Sequence, residues 1–312
     1  MANQTFEQSR RDFIRDTTLG AFSLASAGNI NAEANKACTL GFSTYGMKGL
    51  KTQQALAVLE EIGYDSVELT VRDGWDADSA KLNKKQRVEL RKRLADSPLR
   101  LTSFMEHVAP SDAKKQAHAL ERLKMGTELA HDLAPKAPPI IQTTLGSGKF
   151  AQLRKQLRDR LGEWIRVADA SGITIAIKPH RGGVVSKPSE AVWLLEQLGN
   201  PNRLRMVYDY SHYIFRDLPL GDTIRTALPH TAHIAVKDAV QENGRVVFKL
   251  PGEAGTIDFP TLIRLFYAGG YTGDFNCEVS GMVWNRRGYD PVAAAMTCHR
   301  NMKKAFLEAG VR

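Results

Sequence analysis

The stretch ITIAIKPH, residues 173–180, has the alternation of a β-strand that ends on a charge. Branched apolar residues stand at Ile173, Ile175 and Ile177, and the residues between them lead to Lys178. Successive side chains of a strand point to opposite faces, so the isoleucines and the lysine face opposite sides. In a parallel sheet the apolar face has to meet a layer of helices. The lysine is therefore predicted to point away from the helices.

Seven other segments have the same strand-like character, and amphipathic segments separate them. With 173–178, the predicted strands span 38–44, 66–71, 99–106, 139–144, 204–209, 233–238 and 274–280. The segments 52–63, 188–199 and 259–270 each end on glycine, which favours a left-handed helix cap. Strands that alternate with helices predict right-handed βαβ units, and eight such units make a TIM barrel. The sequence thus predicts an α/β fold, a single (β/α)8 TIM barrel over residues 37–312.

The composition is that of an ordinary globular protein with a sizeable core. Hydrophobic residues make up 43% of the 312 residues and charged residues 25%. The net charge of +9 is carried partly by the runs 81–93 and 149–160, whose apolar residues recur at helical spacing. These runs are interpreted as solvated helix faces, so no nucleic-acid partner is expected. The three cysteines are too few and too scattered for a disulfide framework or a zinc cluster.

Residues 1–36 differ in character from the rest of the chain. The segment SRRDFIR, residues 9–15, precedes a mildly apolar stretch of small residues at 17–28 and resembles a twin-arginine export signal. The apolar stretch is too short for a permanent membrane anchor, and no other segment is long and apolar enough to be one. Residues 1–36 are therefore predicted to be a signal peptide or disordered leader. The protein is predicted to be exported, to the periplasm or another extracytoplasmic compartment.

The face of the predicted strands opposite the helices carries polar and ionisable residues. Because one parity of each strand is apolar, the other parity points into the barrel. The inward-facing set is Glu68, Lys178, Asp209, His233, Lys237, Asn276 and Glu278. Four of these residues end the fifth to eighth predicted strands: Lys178, Asp209, Lys237 and Glu278. TIM barrels hold their active sites at that end, although salt bridges that merely fill the barrel are an alternative.

Five segments, in their order and spacing, resemble the xylose isomerase-like TIM barrels, and within them the sugar-phosphate isomerase/epimerase group. They are GYDSVEL (63–69), YDYSH (208–212), HIAVKD (233–238), GEAGTIDF (252–259) and CEVS (277–280). The resemblance covers essentially the whole chain after the predicted signal. It implies a barrel enzyme that moves a proton next to the carbonyl of a sugar or sugar derivative. Isomerisation, epimerisation and the related elimination or hydration all belong to that class.

The resemblance also implies one divalent metal ion, such as Mn, Mg or Zn. Its ligands are a Glu ending strand five, an Asp ending strand six, a His near the end of strand seven and a Glu on strand eight. This chain has Asp209 and Glu278 at two of these positions but Lys178 and Ala235 at the others. His233 lies two residues before Ala235, about 6–7 Å deeper at about 3.3 Å per residue. The ligand set is incomplete, and an ammonium group opposes cation binding, so Asp209 and Glu278 are ligands only if a metal is bound.

Several roles for Lys178 remain open. Held by Asp209 and Glu278, its ammonium group can take the place of the metal and polarise a sugar carbonyl or stabilise an enediolate. If desolvation lowers its pKa, the amine can act as a base or form a Schiff base. A purely structural alternative is that Lys178 neutralises two inward carboxylates.

The other candidates surround the predicted mouth of the barrel. The residues expected to supply acid, base or electrostatic groups are Lys178, His180, His212, Glu278 and Asp209. The residues expected to contact the substrate are Lys237, His107, Trp284, Arg286 and Glu68. In the loop 282–291 an aromatic ring can stack on a sugar face while an arginine binds an anionic group. The same loop is equally suited to packing or to a contact between copies of the chain, so a homo-oligomer stays open.

The sequence therefore predicts an exported isomerase or epimerase, with a lyase as the related possibility, that acts on a small-molecule sugar. Because phosphorylated sugars are scarce outside the cytoplasm, an unphosphorylated substrate is expected. One alternative is a non-catalytic barrel that binds carbohydrate. Another is a metal-dependent endonuclease that acts at abasic DNA, which shares the barrel but needs a richer set of His and acidic metal ligands.

Overall fold

Eight parallel strands close into a barrel in the computed structural model, which describes residues 38–110 and 112–312. Around the barrel the strands lie in the order β1-β10-β7-β6-β5-β4-β3-β2, so that neighbours in space are also consecutive barrel strands in the chain. The barrel strands are β1 (Thr39–Ser43), β2 (Ser66–Thr70), β3 (Arg100–Met105), β4 (Ile140–Thr143), β5 (Ile175–Ile177), β6 (Leu204–Tyr208), β7 (Thr231–Val236) and β10 (Asp274–Cys277). The predicted TIM barrel is confirmed. The predicted leader lies outside the described residues.

Helices follow the barrel strands and cover them from outside. They are α1 (Thr52–Ile62), α2 (Lys84–Ala95), α3 (Ala113–Leu133), α4 (Phe150–Ser171), α5 (Pro188–Gln197), α6 (Leu220–Ala227), α7 (Phe259–Ala268), α8 (Gly281–Trp284) and α9 (Pro291–Ala309). The three glycines predicted to close helical segments all have positive φ, at 90° for Gly63, 76° for Gly199 and 88° for Gly270. A residue without Cβ adopts that conformation at no steric cost. None of the described helices is long and apolar enough to cross a membrane.

One face of each strand packs against the helices and the other faces the barrel interior, as the alternation predicts. Ile175, Ile177 and Met206 belong to the large buried cluster that also contains Trp164 of α4. The interior holds a separate small cluster of Ala176, Val207 and Ala235. These interior residues are small or short, and longer polar side chains from other strands fill the rest of the interior. The strand ends above them are left for polar side chains.

One irregularity sets the direction of the residues at the end of β3. The pairing of β2 with β3 shifts between Val67, opposite Leu101, and Glu68, opposite Ser103. The extra residue on β3 reverses the alternation beyond it. Ser103 therefore donates to Glu68 in the interior, at 2.7 Å, while Glu106 turns outward and accepts from Arg122 of α3, at 2.9 Å. Both parities of this strand are apolar in part, so the sequence did not reveal the shift.

A two-stranded hairpin, which the sequence analysis missed, follows β7. Its antiparallel strands are β8 (Asp238–Glu242) and β9 (Arg245–Lys249). Asn243 and Gly244 join them with φ angles of 50° and 72°, which is the turn chemistry that an Asn-Gly pair favours. That dipeptide was the available signal. The hairpin carries Phe248 to His212 of the barrel mouth, with ring centroids 5.1 Å apart.

Candidate active site at the carboxyl end of the barrel

Two lysines and two acids form a closed ring of ion pairs at the mouth of the barrel. Lys178 Nζ lies 2.8 Å from Asp209 Oδ2 and 2.6 Å from Glu278 Oε2. Lys237 Nζ lies 2.5 Å from Asp209 Oδ2 and 2.7 Å from Glu278 Oε1. Cations and anions thus alternate around the cluster, which we call the lysine–carboxylate ring. All four side chains are at least nine-tenths buried, with exposed fractions of 0–9%.

The backbone places this ring by a single rule. Each member is the first residue after its strand, since β5 ends at Ile177, β6 at Tyr208, β7 at Val236 and β10 at Cys277. These four strands are neighbours around the barrel. Parallel strands end at the same rim, and the inward parity at that point carries the charge. The inward direction that the sequence predicts for these four side chains is what the structure shows.

Charge balance fixes the ionisation of the ring. Burial by itself lowers the pKa of Lys178, but the charges of Asp209 and Glu278 outweigh it and hold that pKa above its ordinary value. Burial likewise opposes ionisation of the two acids, but the charges of Lys178 and then Lys237 outweigh it and hold the pKa values of Asp209 and Glu278 below their ordinary range. At neutral pH both acids are carboxylates and Lys178 is an ammonium. A protonated amine is no nucleophile, which favours the electrostatic role over the Schiff base.

Two histidines lie beside the ring and stay neutral. Burial, followed by the charges of Lys237 and Lys178, lowers the pKa of His180 to about 4, and burial and neighbouring charges also lower the pKa of His212. The two imidazole centroids are 4.0 Å apart. His212 Nδ1 accepts from the backbone N–H of Arg181 at 3.2 Å, so its other nitrogen, 3.4 Å from Asp209 Oδ2, carries the hydrogen. His180 is only partly buried whereas His212 is fully buried, so His180 is the one of these two rings that a ligand in the mouth can reach.

Glu68 is not brought to the ring. Its carboxylate is fully buried, and it is held by side chains of the barrel interior. The partners of Glu68 are Ser103 at 2.7 Å, Gln142 at 2.9 Å, Asn276 at 3.2 Å and His233 at 3.3 Å. These partners lie within the strands, below the strand ends that carry Lys178 and Glu278. The substrate contact expected of Glu68 gains no support from this position, which suits a role in holding the barrel together.

The other three substrate-contact candidates, Trp284, His107 and Arg286, each have different surroundings. Trp284 of α8 joins an aromatic cluster with Tyr45 and Trp75, at centroid distances of 5.5 and 6.0 Å. His107 follows the end of β3. Desolvation of its ring, and then the charge of Arg72, lower its pKa. Arg286 is exposed and directs its guanidinium to the Met282 carbonyl of its own turn, at 2.9 Å. Sequence reasoning did not single out Tyr45, Trp75 or Arg72, although each stands just past a predicted strand.

The residues present do not fit a divalent metal ion. Among the described residues, no group of three or more His, Cys, Asp or Glu side chains is arranged to hold one. Asp209 and Glu278 each accept from two ammonium groups, and Ala235 is packed in the small interior cluster. Hard divalent ions require several oxygen ligands and a negative site, whereas two lysines already neutralise both acids. No step of the chemistry is therefore assigned to a metal.

Comparison with known proteins identifies a protein family with this fold and a curated enzyme with a similar sequence. The family described as xylose isomerase-like TIM barrel matches residues 56–300. L-ribulose-5-phosphate 3-epimerase of Escherichia coli is 24% identical over 272 residues, which cover 83% of this chain and 91% of that protein.

Two solved structures show how widely this fold is shared. A structure of L-ribulose 3-epimerase superposes with a TM-score of 0.68 at 17% identity, covering 88% of this chain and 96% of the other. The 3-keto-D-glucoside 4-epimerase from Escherichia coli superposes with a TM-score of 0.67 at 15% identity, covering 86% and 99%. At these identities the likeness establishes the fold.

Proposed function

We propose that this chain, which belongs to the xylose isomerase-like TIM barrel family, is an enzyme that isomerises or epimerises a sugar by moving a proton next to a carbonyl. The observation that carries the proposal is the lysine–carboxylate ring, a buried set of alternating charges at the rim of the barrel. Relatives and structural neighbours that are named as sugar epimerases support the reaction class. The substrate is a small sugar or sugar derivative.

The ring supplies fixed positive charge where the reaction develops negative charge. Removal of a proton from the carbon beside a carbonyl leaves an enediolate oxygen, and an ammonium aimed at that oxygen stabilises it. Lys178 has this role in the proposal because it is protonated and lies at the rim of the barrel. Asp209 and Glu278 hold both lysines in place at distances of 2.5–2.8 Å. Their geometry is set before the substrate binds, so little reorganisation is needed.

His180 is the proposed carrier of the proton. Its neutral ring accepts the proton from the substrate carbon while the electron pair moves onto the carbonyl oxygen, which Lys178 stabilises. In isomerisation the proton then returns to the neighbouring carbon, while the hydroxyl proton of the carbon that lost its hydrogen moves to the former carbonyl oxygen, and His180 is neutral again. In epimerisation a water molecule on the opposite face gives a proton to the same carbon, and His180 releases its own proton to the solvent. His212 positions His180 through the 4.0 Å ring contact. Glu278 is ionised but paired with both lysines. Its proposed role is therefore to hold Lys178 and Lys237 in place, and not to take a proton from the substrate.

Proton exchange in deuterated water tests this proposal without knowledge of the product. The protein is incubated with a panel of neutral and acidic aldoses and ketoses, and loss of the C–H signal next to the carbonyl is followed by NMR. We expect exchange on at least one sugar, and we expect Lys178→Met to slow it by about 100-fold or more. The matched control is Lys304→Met on the exposed face of α9. Saturable sugar binding without exchange on any member of the panel would support the non-catalytic carbohydrate-binding alternative.

We also propose that the enzyme acts outside the cytoplasm. The segment SRRDFIR, residues 9–15, supports export by the twin-arginine route, which carries proteins that have already folded. Export also supports an unphosphorylated substrate.

A further inference from the structure

A cluster of aromatic rings and cations lines the mouth on the side of β1 and β2. Tyr45 and Trp75 stack with centroids 5.3 Å apart and planes 21° apart. The guanidinium of Arg72 lies 4.9 Å from the Trp75 ring and 5.7 Å from the Tyr45 ring. Lys48 Nζ lies 4.5 Å from the Trp75 ring and 5.4 Å from the Trp284 ring. We call this set of residues, Tyr45, Lys48, Arg72, Trp75 and Trp284, the cationic wall.

The two cations of this wall have no carboxylate partner among the residues that the structure describes. The acids of the loop after β2 are each paired elsewhere. The pairs are Asp73 with Lys81 at 2.8 Å, Asp76 with Lys51 at 3.0 Å and Asp78 with Arg122 at 2.8 Å. Arg72 and Lys48 form no ion pair or side-chain hydrogen bond within the described residues, and each lies over aromatic faces. The charge of Arg72 is also felt by Glu106 and His107 at the end of β3. The hydrogen-bond donors of both cations remain available to a ligand.

The cationic wall adjoins the lysine–carboxylate ring. Strands β1 and β2, which end just before Tyr45 and Arg72, follow β10 around the barrel, and Glu278 ends β10. Burial and then the charge of Glu278 raise the pKa of the Tyr45 phenol, while the charges of Arg72 and Lys178 lower it. One phenol therefore lies within the field of both clusters. A ligand that reached from the ring to the wall would therefore pass Tyr45.

We propose that the substrate is an anionic sugar, and that Arg72 and Lys48 hold its oxyanion, a carboxylate in the unphosphorylated substrate proposed above, while the aromatic faces pack against its carbon chain. Arginine binds such oxyanions through two parallel hydrogen bonds, and both cations are presented on aromatic rings instead of on acids. The assignment of the carbonyl end to Lys178 rests on the proposed function. The binding of the anion does not, because it can be measured without turnover.

Equilibrium binding by calorimetry separates the two claims. The probes are glucuronate, galacturonate and gluconate as carboxylates, glucose 6-phosphate as the phosphate, and glucose and galactose as neutral counterparts. The variants are Arg72→Gln and Lys48→Met, and the matched control is Arg154→Gln. Arg154 lies over Trp193 at 4.9 Å, the same distance as Arg72 over Trp75, but on the outer helix α4. Thermal unfolding of each variant confirms that it is folded.

We expect at least one anionic probe to bind about tenfold or more tightly than its neutral counterpart, which corresponds to about 1.4 kcal/mol. Arg72→Gln should remove most of that preference and Lys48→Met part of it, while Arg154→Gln should leave it intact. A preference for the uronates or for the phosphate identifies which oxyanion the wall accepts. Equal or absent binding of every anionic probe, or an unchanged preference in Arg72→Gln, overturns the inference. Anion binding without proton exchange would instead count against the proposed function alone.

Discussion

Lys178 and Lys237 place their ammonium groups on the same carboxylate oxygen, Asp209 Oδ2, at 2.8 and 2.5 Å. Two cations that share one oxygen repel each other, and only the second acid, Glu278, allows the arrangement by accepting from both. The four groups are therefore one electrostatic unit, in which removing any member leaves another charge without its partner.

The first prediction concerns the energetic coupling of the ring. Lys237→Met leaves both carboxylates with one buried partner fewer, so we expect a loss of about 3–5 kcal/mol in the free energy of unfolding. Glu278→Gln alone should also destabilise the fold, but the double variant should cost less than the sum, with a coupling of about 1–3 kcal/mol. Urea unfolding of the four proteins measures this cycle. Additive losses would mean that the two side chains do not interact in solution.

The second prediction is that protonation of His180 lowers the stability of the fold in mild acid. Its pKa is about 6.5 in an unfolded chain and about 4 in the fold, so between these values the unfolded chain binds more protons. The contribution of His180 to stability is therefore full above pH 6.5 and is lost as the pH falls towards 4. Each unit of pKa difference is worth about 1.4 kcal/mol. Denaturant unfolding from pH 7 to pH 4 should show a shallower decline in His180→Gln, and equal slopes would contradict this account.

The third prediction concerns metal. Prolonged treatment with a chelator should leave proton exchange unchanged, because no group of donors within residues 38–110 and 112–312 suits a divalent ion. The pair Lys178→Glu and Ala235→His restores the two ligand types that the family resemblance places at these positions. We expect this double variant to bind Mn²⁺, seen as heat in calorimetry and as a rise in Tm with added Mn²⁺. Stoichiometric Mn²⁺ binding by the unsubstituted protein would defeat the lysine-based mechanism.

The fourth prediction separates the interior of the barrel from its mouth. Glu68→Gln replaces an acceptor of up to four side-chain hydrogen bonds with a group that meets those donors with its own N–H. We expect a loss of about 2–4 kcal/mol in the free energy of unfolding, while proton exchange below the unfolding temperature stays close to that of the unsubstituted protein. The control is Glu242→Gln, whose carboxylate is half-exposed and paired only with Lys249. A stable Glu68→Gln protein without exchange would return Glu68 to the substrate site.

The fifth prediction concerns the leader. Arg10→Lys together with Arg11→Lys should retain the protein in the cytoplasm, because the export route reads the arginine pair. Fractionation of producing cells with an antibody to the barrel measures the distribution. Arg15→Lys, outside the pair, is the control and should be exported normally. Unchanged export of the paired variant would remove the basis for an extracytoplasmic substrate.

Much of the fold follows from short-range sequence patterns. Alternation in 173–178 is enough to turn Lys178 away from the helices, since neighbouring strand residues must face opposite sides. The same rule places Asp209, Lys237 and Glu278 inward at three further strand ends. Gly63, Gly199 and Gly270 adopt positive φ because no other residue does so freely. Each of these inferences needs only a few consecutive residues.

The sequence by itself therefore determined the barrel, the inward direction of its charged residues and the absence of two expected metal ligands. The sequence also led to the expectation that Asp209 and Glu278 hold Lys178, but only the tertiary structure showed that Lys237 completes the ring as a second cation. Lys178 and Glu278 are 100 residues apart in the chain, and closure of the barrel brings them to 2.6 Å. The tertiary structure also decided that Glu68 lies below the mouth, that a shift in β3 turns Glu106 outward, and that Arg72 lies against the Trp75 ring. Alternation is a local property of the backbone. Charge pairing and pKa depend on distances between segments that no local pattern encodes.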